Sequence, residues 1–561
     1  MLRFLKPVKI ILMLFILSIL FLSSSILVSS IKNLIISDSK LGNSFTSNQV
    51  DIKTKYSSEI EYTSHSPIII NYESDFQTNG IPGDGSPSTP YLIENYNITT
   101  DINFPITINN IQAHILIQNN YFNGLSSSVR GINLINVSNC IIQSNIIEHC
   151  FKGIYLGTKC SNILISQDII SETNDGAIQV DEESFNNTIE KNQIYYSANA
   201  GIKITDRCYD NLVSENSVYN TQSGGAIFMH SSEATISDNY FFQGDRGIYF
   251  VENNNSIISN NIITGSIVGI QLFNSSHNLL QNNTIIDSLS SGFQLEGDSN
   301  NFTENVIMYG EGNSGILLAG GSYNYILNNV VFNCTWIGLD IWSATNNIIK
   351  WNDFIWNGLK SDSQAQIQED YYINTISNNY WDDWTYPDTN SDGIVDRSYL
   401  IPEGALGTSN TTDDAPSISP INSFSGSLHF INRPRFINIP TIYRVSNQYY
   451  FTGTFRLEWC PSIDSLGHSV TYSLFYKEEI EWVQIAKDIT ENFYKWDTRG
   501  VVSSGGLCCL ELKIIATCSE DLSVEYVCSS YGVTNEGVNW PFTITIFTFF
   551  VLIIFRKRKN P

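Results

Sequence analysis

Charge is scarce in this chain, and basic charge is scarcer. Only 15% of the 561 residues are charged, with 30 Lys+Arg against 55 Asp+Glu and a formal net charge of −25. Seven of the basic residues crowd the two ends: Arg3, Lys6, Lys9, Arg556, Lys557, Arg558 and Lys559. The body between them is more acidic than the total suggests. Phosphate binding needs clustered Lys and Arg, so nucleic acid and anionic membrane surfaces are poor partners for it. Methionine is rare, at 4 residues, and histidine stands at 7. No CxxC pair, Cys/His metal spacing, P-loop, dinucleotide fingerprint or Ser-His-Asp arrangement occurs. The Glu/Lys-rich composition of helical proteins is also missing. What remains abundant is Asn, Ser and Ile. β-branched residues with Asn/Gly turn formers predict an all-β chain.

Long apolar runs are confined to the ends. Residues 10–22, IILMLFILSILFL, follow the first three basic residues and read as a secretory signal within residues 1–30. No small-x-small cleavage site follows, so an uncleaved anchor stays open. Residues 538–555 end in an apolar run followed at once by RKRKNP, the stop-transfer pattern of a transmembrane helix with a basic cytoplasmic tail at 556–561. A final buried strand is the alternative. Together the ends predict an exported body held at the cell membrane by a single pass. Ten cysteines divide evenly about residue 400, and buried free thiols are the expected state.

The interior repeats one phrase: a small residue, Ile, any residue, then an apolar one. It stands at Gly131 (GINL), Gly153 (GIYL), Ala177 (AIQV), Gly201 (GIKI), Ala226 (AIFM), Gly247 (GIYF), Gly269 (GIQL), Gly292 (GFQL), Gly315 (GILL) and Gly338 (GLDI). Between successive anchors lie two further Asn-x-apolar phrases, such as NLLQNNTIID. Three short period-two segments in about 23 residues make one coil of a parallel β-helix, which buries its apolar side only by stacking. Alternating Ile, Val, Leu and Phe point inward. Asn at the bends tolerates left-handed backbone and can bond its counterpart in the next coil. Gly before the inward Ile relieves crowding, which Ala177 and Ala226 suggest is mild.

The repeat resembles the right-handed parallel β-helix superfamily, with its PbH1-type repeats, in the branch of NosD-like and CASH-type carbohydrate-binding and sugar-hydrolase domains. GIPGDGSPSTPYLIENYNI at 80–98 resembles the opening segment of such helices, and NNYWDDWTYPDTNSDGIVDRSYLIPEG at 378–404 the closing one. The β-helix is expected over 80–415, after a polar stalk or cap at 31–79. From 426 to 535 the pattern changes to about one strand per ten residues. LEWCPSIDSLGHSVTYSLFYK there resembles a fibronectin type III domain with Trp459 as its core tryptophan, although the tyrosine usual near Leu510 is missing.

Four groups of residues are candidates for chemistry. Asp388, Asn390, Asp392, Ile394 and Asp396 match positions of a Ca²⁺ loop turned at Gly393, although Tyr399 stands where the bidentate Glu belongs. A solvated Asx turn is the alternative. Trp336, Trp342, Trp351, Trp356, Trp381 and Trp384 could stack on sugar rings or cap the open end of the tube. Asp175, Asp181, Glu182, Glu183, Asp206 and Asp210, with the pairs Asp206-Arg207 and Asp245-Arg246, are the carboxylates and bases available for glycan cleavage. No recognised catalytic signature arranges them, and no catalytic residue is assigned. The NosD-like resemblance implies a copper-maturation role, for which Met229-His230 is the only adjacent soft-ligand pair. Asn-x-Ser/Thr sequons, at Asn97 and Asn274 among others, allow glycosylation of an exported chain. These residues point to a non-catalytic surface protein for adhesion or glycan binding, with a polysaccharide lyase or glycoside hydrolase as the alternative. An enzyme should gather carboxylates and a basic residue in one groove, and a binding module should expose aromatics without that convergence.

Overall fold

The computed structural model describes residues 61–126, 128–358, 363–368, 373–402 and 411–422, and the strands of a second unit between 436 and 531. The expected signal, the transmembrane helix and most of the expected stalk lie outside the described residues. Among the described residues, no helix is long and apolar enough to cross a membrane. The chain divides into two compact units, at residues 1–432 and 433–561.

The first unit is a three-faced parallel β-helix. Face A is a single sheet of thirteen parallel strands, one per coil, from Tyr91–Glu94 to Thr375–Ser377. Face B holds strands such as Tyr121–Gly124, Ile146–Glu148 and Gln193–Ser197. Face C holds the anchor phrases, as in Arg130–Ile135, Lys152–Leu156 and Ala200–Thr205. Each strand pairs in parallel with its counterpart one coil away, for example Ile154 with Ile132 and with Ile178. Twelve steps of roughly 4.8 Å give face A a length of about 58 Å. In two coils the strand runs on without a break from face B into face C, as Tyr240–Val251 and Ile262–Phe273. The rod begins before residue 80. Thr63–Ser64 and Ile68–Ile70 already pair with Tyr96–Thr100 and Ile106–Asn109. The short helix Ser74–Thr78 stacks Phe76 on Tyr91, 3.9 Å between ring centres, and so closes the core at this end.

The period-two pattern fixes which side chains fill the tube. Ile147, Ile170, Ile194, Val218, Phe241 and Ile263 follow one another down face B with at most 1% exposure. The anchor glycines sit where two coils touch. A Cβ on Gly247 would lie 2.4 Å from Ile263 Cγ2 and 2.6 Å from the Gly269 carbonyl oxygen. That crowding is severe, and Ala177 is an exception to it. Ala226 is not an anchor: it pairs with Ile202 and Ile248, so it fills an inward position. Gly225 is the anchor of that coil, and its own Cβ would come within 2.3 Å of Phe241 Cδ1.

The bend between faces A and B divides the work expected of one Asn between two residues. The first takes left-handed backbone, with φ 55° at Asn119, 56° at Ser144, 57° at Lys191 and 55° at Glu215. The second is a buried Asn that builds a ladder along the rod. Asn216 Nδ2 donates to Asn239 Oδ1 at 3.0 Å and to the Ile189 carbonyl at 2.9 Å, while its backbone N–H donates to the same Oδ1 at 3.0 Å. The pattern repeats from Asn120 to Asn379, where Asp413 Oδ2 accepts from the Asn379 amide and backbone, each at 3.0 Å. One interior rung is Asp168.

The second unit has antiparallel sheets of three and four strands and a two-stranded hairpin, Tyr443–Val445 with Gln448–Tyr450. Trp459, on Thr454–Trp459, is fully buried and meets Tyr472 of Val470–Glu478 edge-on at 5.3 Å, so the two sheets pack face to face.

Candidate functional site

Face C carries a cluster of charged and polar side chains in register from coil to coil. The residue before each anchor glycine points outward and falls in register from coil to coil. Arg130 pairs with Lys152, and Arg246 occupies the same position five coils from Arg130, about 24 Å along the rod. Between them the position is small: Gly176, Ala200 and Gly224. The neighbouring outward row runs Asn133, Tyr155, Gln179, Lys203, Ile227, Tyr249 and Gln271. It leans over the small residues, since a Cβ on Gly224 would meet Ile227 Cγ1 at 3.0 Å.

Two arginine–tyrosine pairs bracket this stretch. The Arg130 guanidinium lies 3.9 Å from the Tyr155 ring centre, and its Nη1 donates to Asn133 Oδ1 at 2.7 Å. The Arg246 guanidinium lies 4.5 Å from the Tyr249 ring centre, and its Nε donates to Gln271 Oε1. A guanidinium over an aromatic face with an amide on its edge is a planar, pre-set donor.

Between the pairs lies a closed ionic cluster. Lys152 Nζ meets Asp175 Oδ2 at 2.8 Å, with the two side chains 8% and 17% exposed, and also donates to Gln179. Asn199 donates to the other Asp175 oxygen at 2.7 Å. Gln179 Nε2 donates to Asp181 Oδ2 at 2.7 Å, and Thr205 donates to Asp181 Oδ1. Burial alone would raise the Asp175 carboxyl, but the Lys152 and Asn199 hydrogen bonds, with the Lys152 and Lys203 charges, hold it below the usual carboxylate range. Burial pushes the Tyr155 hydroxyl up to about 12, with Asp181 adding to the rise, so it stays protonated at neutral pH.

Of the expected carboxylates, Asp175 and Asp181 converge here with Lys152. Glu183 instead pairs with Arg207 at 3.0 Å on the outer bend, and Asp206, Asp210, Glu182 and Asp245 are exposed. Sequence reading missed Arg130, Lys152 and Tyr155. Their signal was the shared offset of Arg130, Lys152 and Arg246 from the anchor glycine.

The six tryptophans divide. Trp381 is fully buried between Phe354 at 4.4 Å and Tyr399 at 4.3 Å, and donates to Asp413 at 3.1 Å. Trp384 packs against the same core, and Trp356 meets Phe332 at 5.4 Å. Trp336, Trp342 and Trp351 are 43–46% exposed, but they stand at three different corners of one coil and share no surface.

The Asp388–Asp396 turn is held by its own hydrogen bonds. Asp388 accepts from the Asp392 and Gly393 amides at 3.2 Å each, and Asp392 Oδ1 accepts from Ile394 at 2.9 Å. Asn390 Nδ2 donates to Asp392 Oδ2 at 3.0 Å. Asp396 turns onto Thr389, away from the others, at 2.6 Å from its amide. Among the described residues, no group of three or more His, Cys, Asp or Glu stands close enough to hold a metal. His230, beside Met229, meets Glu252 at 3.7 Å. The five rod cysteines, Cys140, Cys150, Cys160, Cys208 and Cys334, are buried and free.

Comparison with solved structures finds β-helices of low identity. An alginate lyase from Paenibacillus sp. str. FPU-7 matches with TM-score 0.34 and 14% identity, over 43% of this chain and 94% of that one. The A-module of a mannuronan C-5 epimerase from Azotobacter vinelandii matches with TM-score 0.37 and 13% identity, over 59% and 93%. A DFA-IIIase from Arthrobacter chlorophenolicus A6, in complex with DFA-III, matches with TM-score 0.35 and 12% identity, over 54% and 92%. Likenesses this slight carry no argument about activity. No curated protein matches. The family described as "Right handed beta helix region" matches over residues 59–218, 104–255, 211–354 and 269–395. Those segments together cover more than half of the chain and coincide with the coils of the rod, so this chain belongs to the right-handed β-helix family.

Proposed function

We propose that the rod is a glycan-binding module of an exported, membrane-tethered surface protein, and that it holds an extended sugar chain along face C. The observation that carries this reading is the register of Arg130–Tyr155 and Arg246–Tyr249, two donor-and-ring pairs on one face with polar and small residues and Ile227 between them. The Tyr155 ring, 8% exposed, lies beneath its arginine, so the sugar is held by planar donors that fork, and a regular face repeats them along an axis. The tether rests on the basic-apolar start and the apolar-basic end of the sequence. The second unit is read as a fibronectin type III-like spacer, supported by Trp459 at the contact of its three- and four-stranded sheets. A glycan array probed with the full chain in detergent tests the binding. Retained glycans that are lost on Tyr155→Ala with Tyr249→Ala support it. An array without any retained glycan removes it.

A second reading is cleavage of the bound glycan, favoured by the convergence of Lys152, Asp175 and Asp181. Product analysis decides it: new reducing or unsaturated ends, absent with Lys152→Met, would make the protein an enzyme. Calcium at the Asp388–Asp396 turn is a separate proposal, supported by the alternation of Asp388, Asn390 and Asp392 about Gly393. A melting temperature that rises with Ca²⁺, and no longer does so in Asp388→Ala, supports it. Equal melting in Ca²⁺ and in chelator removes it.

A further inference from the structure

Resting on the reading of face C as a glycan strip, we infer that its ligand is anionic, and that Arg130 and Arg246 clamp two acid groups of one polysaccharide chain laid along the rod. The net charge of −25 opposes any polyanion, so attraction must be local. Arg130, Lys152, Lys203 and Arg246 all lie on face C, on a rod otherwise poor in basic residues. Lys152 is neutralised by Asp175. Among the described residues, Arg130, Lys203 and Arg246 have no carboxylate within ion-pair distance.

The geometry at the two arginines favours an acid group over a hydroxyl. Each guanidinium lies over a tyrosine ring and is pinned by one amide oxygen, Asn133 or Gln271. That leaves most of its five N–H donors unspent, in the fork that matches a carboxylate or sulfate. Lys203 sits on the line between them, two coils beyond Tyr155 and two before Tyr249. A ligand reaching both arginines must span about 24 Å, so affinity should climb steeply once an oligomer is long enough to engage both ends.

Calorimetric titration of the full chain with neutral, uronate-bearing and sulfated oligosaccharides of graded length tests this. The expected result is acidic oligomers binding at least tenfold tighter than neutral ones, weakening with added salt, with a jump in affinity at the spanning length. The uronate and sulfate arms show which acid group is preferred. Arg130→Gln and Arg246→Gln should each cost roughly tenfold to a hundredfold, as loss of a charge-assisted fork does. Arg130→Lys, which keeps the charge without the fork, should recover only part. Arg207→Gln, paired with Glu183 on the bend that follows a face C strand, should change affinity little. Unchanged melting temperatures separate these effects from misfolding. Equal binding of neutral and acidic oligomers overturns the acid clamp and leaves the glycan strip standing. Failure to bind any oligosaccharide overturns the strip, and the clamp with it.

Discussion

Asp168 shows how much one atom changes inside the Asn ladder. Its Oδ1 accepts from the Asn145 backbone and amide at 2.7 and 2.9 Å, as a ladder Asn would. Its Oδ2 replaces an NH₂ group and is buried without a partner. In the next rung that NH₂ donates to the Ile165 carbonyl at 3.0 Å and to the following Oδ1. The site therefore suits a donor, which an Asp supplies only when protonated. Burial raises this carboxyl to about 7, against the Asn145 bonds that lower it. Its folded pKa stands above the unfolded value, so the native state binds the extra proton. Stability from this residue is full at low pH and falls as pH rises from about 4 to about 7. Asp168→Asn should melt higher than the parent at pH 8, and the gap should close towards pH 4, as thermal scans across pH would show.

Sequence reading fares unevenly at this scale. The Gly-Ile phrase announced the inward rows because period two is written directly in residue type. It misplaced the Gly-Gly-Ala-Ile anchor by one, since Gly225 and Ala226 are both small and only pairing with Ile248 tells them apart. Gly247→Ala measures the contact: with Ile263 and the Gly269 carbonyl at 2.4 and 2.6 Å, it should cost about 1–3 kcal/mol in a denaturant titration.

At the scale of the strand and coil, a position is defined by its register. Arg130, Lys152 and Arg246 share one, which is why they align although they are up to 116 positions apart in the numbering. The spacing of anchors contained that alignment. The chemistry built on it did not show, because Asp175 and Asp181 are engaged by Lys152, Asn199 and Thr205 from neighbouring coils and by Gln179 of their own coil. Removing one partner of a buried ion pair leaves the other charge stranded. Lys152→Met should therefore destabilise the rod by about 3 kcal/mol, and Asp175→Asn combined with it should restore part of the loss, in a double-mutant cycle. The tryptophans teach the same lesson in reverse: six in one stretch of sequence are dealt out among the core and three separate corners, because a coil sends successive residues to different faces.

For the whole molecule, the all-β rod followed by a second β unit was legible from the change of repeat, and the start of the rod was not. Residues 63–70 carry the period-two pattern for too few positions to stand out before pairing is known. The acidic excess has its own consequence. With a sequence pI near 4.6, mutual repulsion between copies vanishes as pH falls towards that value. Light scattering should show self-association growing between pH 6 and pH 4.6, and receding at pH 8 in low salt, where the carboxylates are ionised and their repulsion is least screened.

The far end of the Asn ladder limits what the rod can become. Each ladder amide sends one hydrogen forward to the Oδ1 of the next coil and the other back to a carbonyl of the coil before, so the last amide and its backbone N–H aim their forward hydrogens at whatever follows. Asp413 receives those hydrogens and has none to hand on. A carboxylate in that place acts as a full stop: the column ends on an acceptor, with no amide left to extend it.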